Sequence, residues 1–329
     1  IAEKSTKKSS GILRARFQRL QARALIETTR SPDAVKLLDE AIRTFRSLGA
    51  KEFVGRTLYD LARAHARLDA QGEALKCALD AEQALERGDV IDRTLELQIH
   101  QFLAGLYFRL GDPASMEARA ERARAIAEDV ADPAAVAELY ASLALTRYEQ
   151  GDKEAALAYA RKSVDLYGVV GDQIKAAETW NTIGWLFVQR QQYAKANEAL
   201  DKAARMGVEL GLPRLEAWVT LNRGGLALAR GDASEALRLA DEAANAQAAP
   251  STVRARALLL RARALAASDA PTPQMKKAFD EAIAAHRGMS PREQARAHQY
   301  YADALSERKQ AAEAFAEARK ALELVGPKI

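Results

Sequence analysis

The chain has 329 residues, with 49 basic and 45 acidic side chains and a net charge of +4, so it lacks the clustered basic excess of a nucleic-acid footprint. Its single cysteine, Cys77, excludes an internal disulfide and fits a reducing, cytoplasmic setting, and no run of about 18 apolar residues offers a membrane span. Only 9 prolines and 18 glycines interrupt a sequence rich in Ala, Leu, Arg, Glu and Lys, a balance that favours long helices over sheet.

Residues 1–12 are polar and basic (Lys4, Lys7, Lys8) and show no apolar periodicity, so they read as a tail or linker; the start at Ile1 rather than Met suits a fragment or processed product. The first helical pattern, Leu13–Glu27, carries Arg14, Arg16, Arg19 and Arg23. From there the sequence repeats. Twelve residues beyond the turn glycines Gly111, Gly151 and Gly231 stand Ala123, Ser163 and Ala243, and the series extends to Ala41, Ala81, Ala203, Ala282 and Ala321, in steps of 39 to 42 residues. A second series lies seven residues earlier: Ala34, Ala74, Met116, Ala156, Ala196, Ala236, Met275 and Ala314. A third, in the preceding helix, runs Ala22, Ala62, Ala104, Ala144, Gly184, Gly224 and Ala302, with its member in the seventh repeat obscured by the irregular loop Ser268–Pro273. Small residues at fixed phase mark places where helices approach too closely for longer side chains.

The phased pattern resembles the tetratricopeptide repeat, whose consensus pairs W-x2-L-G-x2-Y in one helix with A-x3-F and A in the next. Trp180, Ile183, Gly184, Phe187, Ala196, Leu200 and Ala203 carry it best. The resemblance implies an all-α, right-handed α-solenoid of about eight helix-turn-helix repeats: 13–50, 51–92, 93–132, 133–172, 173–212, 213–250, 251–290 and 291–325. Against the common 34-residue period, the extra length falls in the second helix of each repeat, closed by Gly49, Gly88, Gly171 or Gly211, with Asp132-Pro133 doing a similar job once. Forty-residue variants are similar to those of bacterial peptide-sensing and transcription regulators and of some eukaryotic scaffold proteins.

Catalytic signatures do not emerge. His65, His100, His286 and His298 have no His or Cys partner at helical spacing, and neither HExxH, CxxC nor a phosphate loop is present. The expectation is a binding protein without catalytic residues, metal or cofactor.

In the fold the resemblance implies, first helices line a concave face. The stripe opposite the core of the fifth repeat is Asn181, Trp185 and Val188, at i, i+4 and i+7. Trp218 and Asn222 match it in the sixth repeat, Ala141, Leu145 and Tyr148 in the fourth, and Gln101, Phe102, Gly105, Phe108 and Arg109 in the third. Exposed aromatic rings are costly unless covered, and an Asn side chain can pair with a peptide amide and carbonyl together. The expected partner is therefore a protein or peptide gripped by Gln101, Phe102, Phe108, Arg109, Tyr148, Asn181, Trp185, Trp218 and Asn222, with no membrane or nucleic-acid partner. Glu178, where a carboxylate clamp would need Lys, argues against that subclass. Arg254, Arg256, Arg261 and Arg263 form a further basic run. The sensing arm of a bacterial signalling or transcription regulator is the function this pattern favours, ahead of a free-standing scaffold or the recognition arm of a larger enzyme.

Overall fold

The structure is a computed structural model. It describes the chain apart from residues 1, 28–30, 69, 88–90, 111, 128, 131, 269 and 327–329, and apart from the side chains of residues 2–7, 27, 108, 109 and 113. The described residues form sixteen α-helices and one 3-10 turn, Lys51–Phe53, with no strand among them.

The helices pair as hairpins in chain order. They are α1 (Ala2–Glu27) with α2 (Ser31–Ser47), α3 (Val54–Arg67) with α4 (Gln71–Glu86), and α5 (Arg93–Leu110) with α6 (Pro113–Ala127); α7 (Pro133–Glu149) and α8 (Lys153–Val170) follow in the chain, joined by the turn at Gly151. Then come α9 (Gln173–Gln189) with α10 (Tyr193–Glu209), α11 (Pro213–Ala229) with α12 (Ala233–Asn245), α13 (Ser251–Ala266) with α14 (Thr272–His286), and α15 (Pro291–Glu307) with α16 (Ala311–Val325). Successive pairs pack on one another within each of two compact units, Ile1–Thr146 and Arg147–Ile329. The eight hairpins are those expected from the three small-residue series.

Turn chemistry explains the hairpins. Gly151, Gly171 and Gly231 adopt positive φ (88°, 73° and 83°), which costs glycine nothing, and the Asp that follows each caps the next helix. Asp152 accepts from the Ala155 amide at 2.9 Å, Asp172 from Lys175 at 3.0 Å and Asp232 from Glu235 at 2.9 Å. Gly49 and Gly211 take the left-handed conformation expected of helix-closing glycines (67° and 63°), whereas Gly88 and Gly111 lie outside the described residues. Asp132 does not close a helix: its side chain accepts from the Ala134 amide at 3.0 Å and so caps the start of α7.

Every member of the first two series is buried, from Ala41 and Ala34 at 0% exposure to Ala314 at 9%. In α5, α7, α9, α11 and α15 the third-series residue lies eleven positions after the first residue of its helix, as Pro213 to Gly224 and Pro291 to Ala302 show, so Ser251 identifies the obscured seventh member as Ala262, fully buried. A Cβ at Gly184 would come within 2.6 Å of Leu200 Cγ, so α9 and α10 touch there with no room for a methyl group. The segment 1–12, read from sequence as a tail, is instead the start of α1 from Ala2. No proline or glycine precedes Gly11, so no helix breaker stands in the way of α1, and a backbone helix does not require an amphipathic pattern.

Gly184→Ala is expected to destabilise the protein by about 1–3 kcal/mol through overpacking against Leu200. Gly105→Ala, in α5 with nothing within 4 Å of an added Cβ, should stabilise by about 0.5–1 kcal/mol through helix propensity. Urea unfolding of the two variants checks both signs. Ser163 stands where the other repeats place Ala, fully buried, and its Oγ has no hydrogen-bond partner among the described residues. Ser163→Ala should therefore raise the urea midpoint, by about 1 kcal/mol of stability.

Candidate functional site

The first helices of unit 2 pack side by side, and their touching faces carry most of the residues singled out from sequence. Tyr148 at the end of α7 meets Trp185 of α9, with ring centroids 4.2 Å apart and planes tilted by 59°. The Tyr148 hydroxyl donates to Gln189 Oε1 at 3.1 Å. Burial raises the Tyr148 pKa, so the phenol stays protonated and able to donate. Between α9 and α11, Asn222 Nδ2 donates to Asn181 Oδ1 at 2.9 Å. Trp218 of α11 lies partly buried, with the Arg256 guanidinium of α13 5.2 Å from its ring centre. The aromatic and amide residues thus form rungs between successive first helices.

Two of the stripe residues are less open than the helical wheel implies. Asn181 and Val188 are 8% and 9% exposed, and Asn181 is covered by the neighbouring first helix, whose Asn222 donates to it. Trp185, Trp218 and Asn222 remain half-buried and Leu145 is exposed. An Asn pair sharing one hydrogen bond keeps unused donors and acceptors, since each amide has two of each. Trp180, read as core, is half-buried between α9 and α10 with Lys202 Nζ 4.0 Å from its ring centre. Glu178 pairs with Lys175 at 2.9 Å.

Unit 1 arranges its own set differently. Phe102 is half-buried and meets Tyr59 edge-on at 5.7 Å, and Gln101 Nε2 donates to the Ala135 carbonyl at 3.3 Å. Phe102 therefore fills the space between α3 and α5. Phe108 and Arg109 belong to α5, and their side chains lie outside the described residues. Among the first-helix arginines of this unit, Arg19 forms a buried ion pair with Asp60 at 2.6 Å, and Arg16 lies over the Phe53 ring at 5.4 Å. Arg19 is therefore a structural residue.

Three residues of these helices did not stand out in the sequence: Tyr300, over whose ring Arg263 of the basic run stacks at 4.0 Å, and the pair Glu149 and Arg296. Register could have found the arginines. Trp218 is five positions after Pro213, as Arg256 is after Ser251 and Arg296 after Pro291. Arg256 binds Glu293 at 2.6 Å, and Arg261 faces Asp241 and Glu281 at 3.3 and 3.5 Å. Glu293 is pushed up by burial, but the hydrogen bond and charge of Arg256 outweigh this and hold its pKa below the ordinary carboxylate value.

The histidines take structural positions. His100 lies beside Arg119 (3.3 Å) and Glu82, His286 donates from Nδ1 to the Ala282 carbonyl at 2.7 Å, and His298 meets Glu317 at 2.6 Å. Burial lowers the pKa of His100 and His286. Among the described residues no three His, Cys, Asp or Glu side chains are grouped to hold a metal ion, and no helix is long and apolar enough to cross a membrane.

Removing one partner of the buried amide pair should be costly. Asn222→Ala leaves Asn181 unsatisfied and is expected to destabilise by about 1–3 kcal/mol, whereas Asn181→Leu combined with Asn222→Leu should come back to within about 1 kcal/mol of the parent. Thermal unfolding of the single and double variants measures the difference.

Comparison with known proteins bears on the fold. Residues 95–168 match the tetratricopeptide repeat family model. No curated protein matches the chain significantly. A Rap protein complexed with competence and sporulation factor superposes with a TM-score of 0.67 at 14% identity, over 95% of this chain and 98% of that one. The apo form of the quorum sensor NprR from B. thuringiensis gives 0.67 at 14% identity, over 95% and 87%. A signal transduction ATPase with numerous domains from Pyrococcus horikoshii, which carries a tetratricopeptide repeat sensor, gives 0.57 at 16% identity; the match covers 92% of this chain but only 47% of that protein. The chain is a tetratricopeptide-repeat protein in fold, an α-solenoid of eight helical hairpins with a period near forty residues.

Proposed function

We propose that the chain is a peptide-recognition module, the sensing arm of a bacterial signalling or transcription regulator acting in the cytoplasm. The observation that carries the reading is the row of partly open aromatic and amide groups on adjacent first helices: Tyr148 against Trp185, Asn222 on Asn181, and Trp218 beneath Arg256. Half-buried tryptophans beside amides with spare hydrogen-bonding capacity are the two ingredients that grip a peptide, apolar anchors for side chains and paired donors and acceptors for its backbone. The Rap and NprR likenesses support it, since one is a complex with competence and sporulation factor and the other is a quorum sensor. At 14% identity they lend fold, and the residues named above supply the rest.

Gln101, Phe102, Phe108 and Arg109 of unit 1 stay in the proposal as secondary contacts. Phe102 already has an aromatic neighbour in Tyr59, so the main anchor falls to unit 2.

A random peptide library panned on the protein tests the reading. Peptides recovered on the parent protein should bind Trp185→Ala at least tenfold more weakly, a loss of about 1.4 kcal/mol or more, while circular dichroism stays unchanged. Recovered peptides that bind parent and variant equally would contradict the proposal.

A further inference from the structure

Glu149, the last residue of α7, lies 3.6 Å from Arg296 of α15. The two are 147 positions apart (296 less 149), whereas the other pairs described for this unit join helices at most 42 positions apart. This contact ties the first helix of the fourth hairpin to that of the eighth, with α9, α11 and α13 between them in the chain. Tyr148 lies next to the same junction: Arg296 and Tyr300 are among the groups close enough to act on its hydroxyl.

The cations gathered on the α13 and α15 side are unevenly satisfied. Arg256 has Glu293. Arg263 rests on the Tyr300 ring and has no carboxylate partner among the described residues. Arg296 has Glu149, an ion pair with side chains 45% and 25% exposed, hence weak and readily displaced. A planar guanidinium presents paired donors that match a carboxylate in two-point geometry. Free binding capacity at this junction is therefore for carboxylate, with tyrosine rings on either hand for an apolar neighbour.

We propose that the inner face of unit 2 takes an acidic peptide, one carboxylate of which displaces Glu149 from Arg296 while another binds Arg263. The inference rests on the peptide-recognition reading and names the chemistry of the peptide. Glu149 is then an internal stand-in for the ligand, which closes the α7–α15 junction until a peptide carboxylate replaces it. Carboxylates at separated positions suit this arrangement better than a nucleic-acid backbone does, because Glu149 and Glu293 stand among the arginines and repel a continuous run of phosphates.

The test uses fluorescein-labelled Glu-Leu-Glu-Leu-Glu-Leu and its Lys-Leu counterpart on the full chain at low salt, read by anisotropy. The acidic peptide should bind at least tenfold tighter than the basic one. Arg263→Gln and Arg296→Gln should each weaken it at least fivefold, and Glu149→Gln should tighten it roughly two- to fivefold, the range expected for losing a competing exposed ion pair. Unchanged melting of all three variants shows that folding is not the cause. Equal or tighter binding of the basic peptide, no tightening by Glu149→Gln, or displacement of the acidic peptide by a twelve-residue oligothymidylate would each overturn the proposal. Basic-peptide binding that Trp185→Ala abolishes would overturn the acidic class yet leave the peptide-recognition reading standing.

Discussion

The structure depends on how closely two antiparallel helices can approach. At Gly184 the chain leaves no space even for a methyl group, since Leu200 already occupies it. The same solution, a small residue facing the partner helix, recurs at Ala62, Ala104, Ala144, Gly224, Ala262 and Ala302, all buried. Close approach lets dispersion contacts accumulate along each hairpin, and each hairpin then buries its remaining apolar face on its neighbours. Stability is assembled locally, one interface at a time, and within unit 2 the first helices are held side by side, with side chains between them that need not serve the hairpin interfaces.

That division of labour explains what the sequence disclosed. Residues serving the hairpin interface obey a strict phase, so the alanine series located all eight hairpins, and Gly-Asp turns located their joints because left-handed glycine and Asp capping are local chemistry. The extension of α1 back to Ala2 was missed because helix formation there is not accompanied by an apolar stripe. The inner face was legible in part. A helical wheel gives the direction of a side chain but not how far away the next hairpin lies, so it leaves Asn181 open where Asn222 of α11 in fact covers it. The irregular loop after α13 broke the register, which concealed Ala262 from the core series and the kinship of Trp218, Arg256 and Arg296. The Glu149–Arg296 contact joins α7 to α15, and no local pattern encodes such a distance.

The row of contacts between the first helices of unit 2 changes character along the chain. Its earlier helices contribute Trp185, Asn181, Asn222 and Trp218, which suit apolar and amide groups, and its later helices contribute Arg256, Arg263, Tyr300 and Arg296, which suit anions. Few of these groups form deep or fully satisfied networks. They sit in single hydrogen bonds, tilted ring contacts and part-exposed ion pairs, each worth on the order of 1 kcal/mol or less. A ligand can replace such contacts one by one without disturbing the alanine-lined interfaces behind them; the Asn181–Asn222 pair is the exception, serving both the packing of α9 on α11 and the proposed recognition face.

The central claim is that ligand recognition belongs to the first helices of unit 2. Amide hydrogen exchange measured with and without a peptide recovered by panning tests it most directly. The account predicts slowed exchange in α9, α11, α13 and α15, with α10, α12 and α14 unaffected. Protection confined to those second helices, or to unit 1 alone, would contradict it.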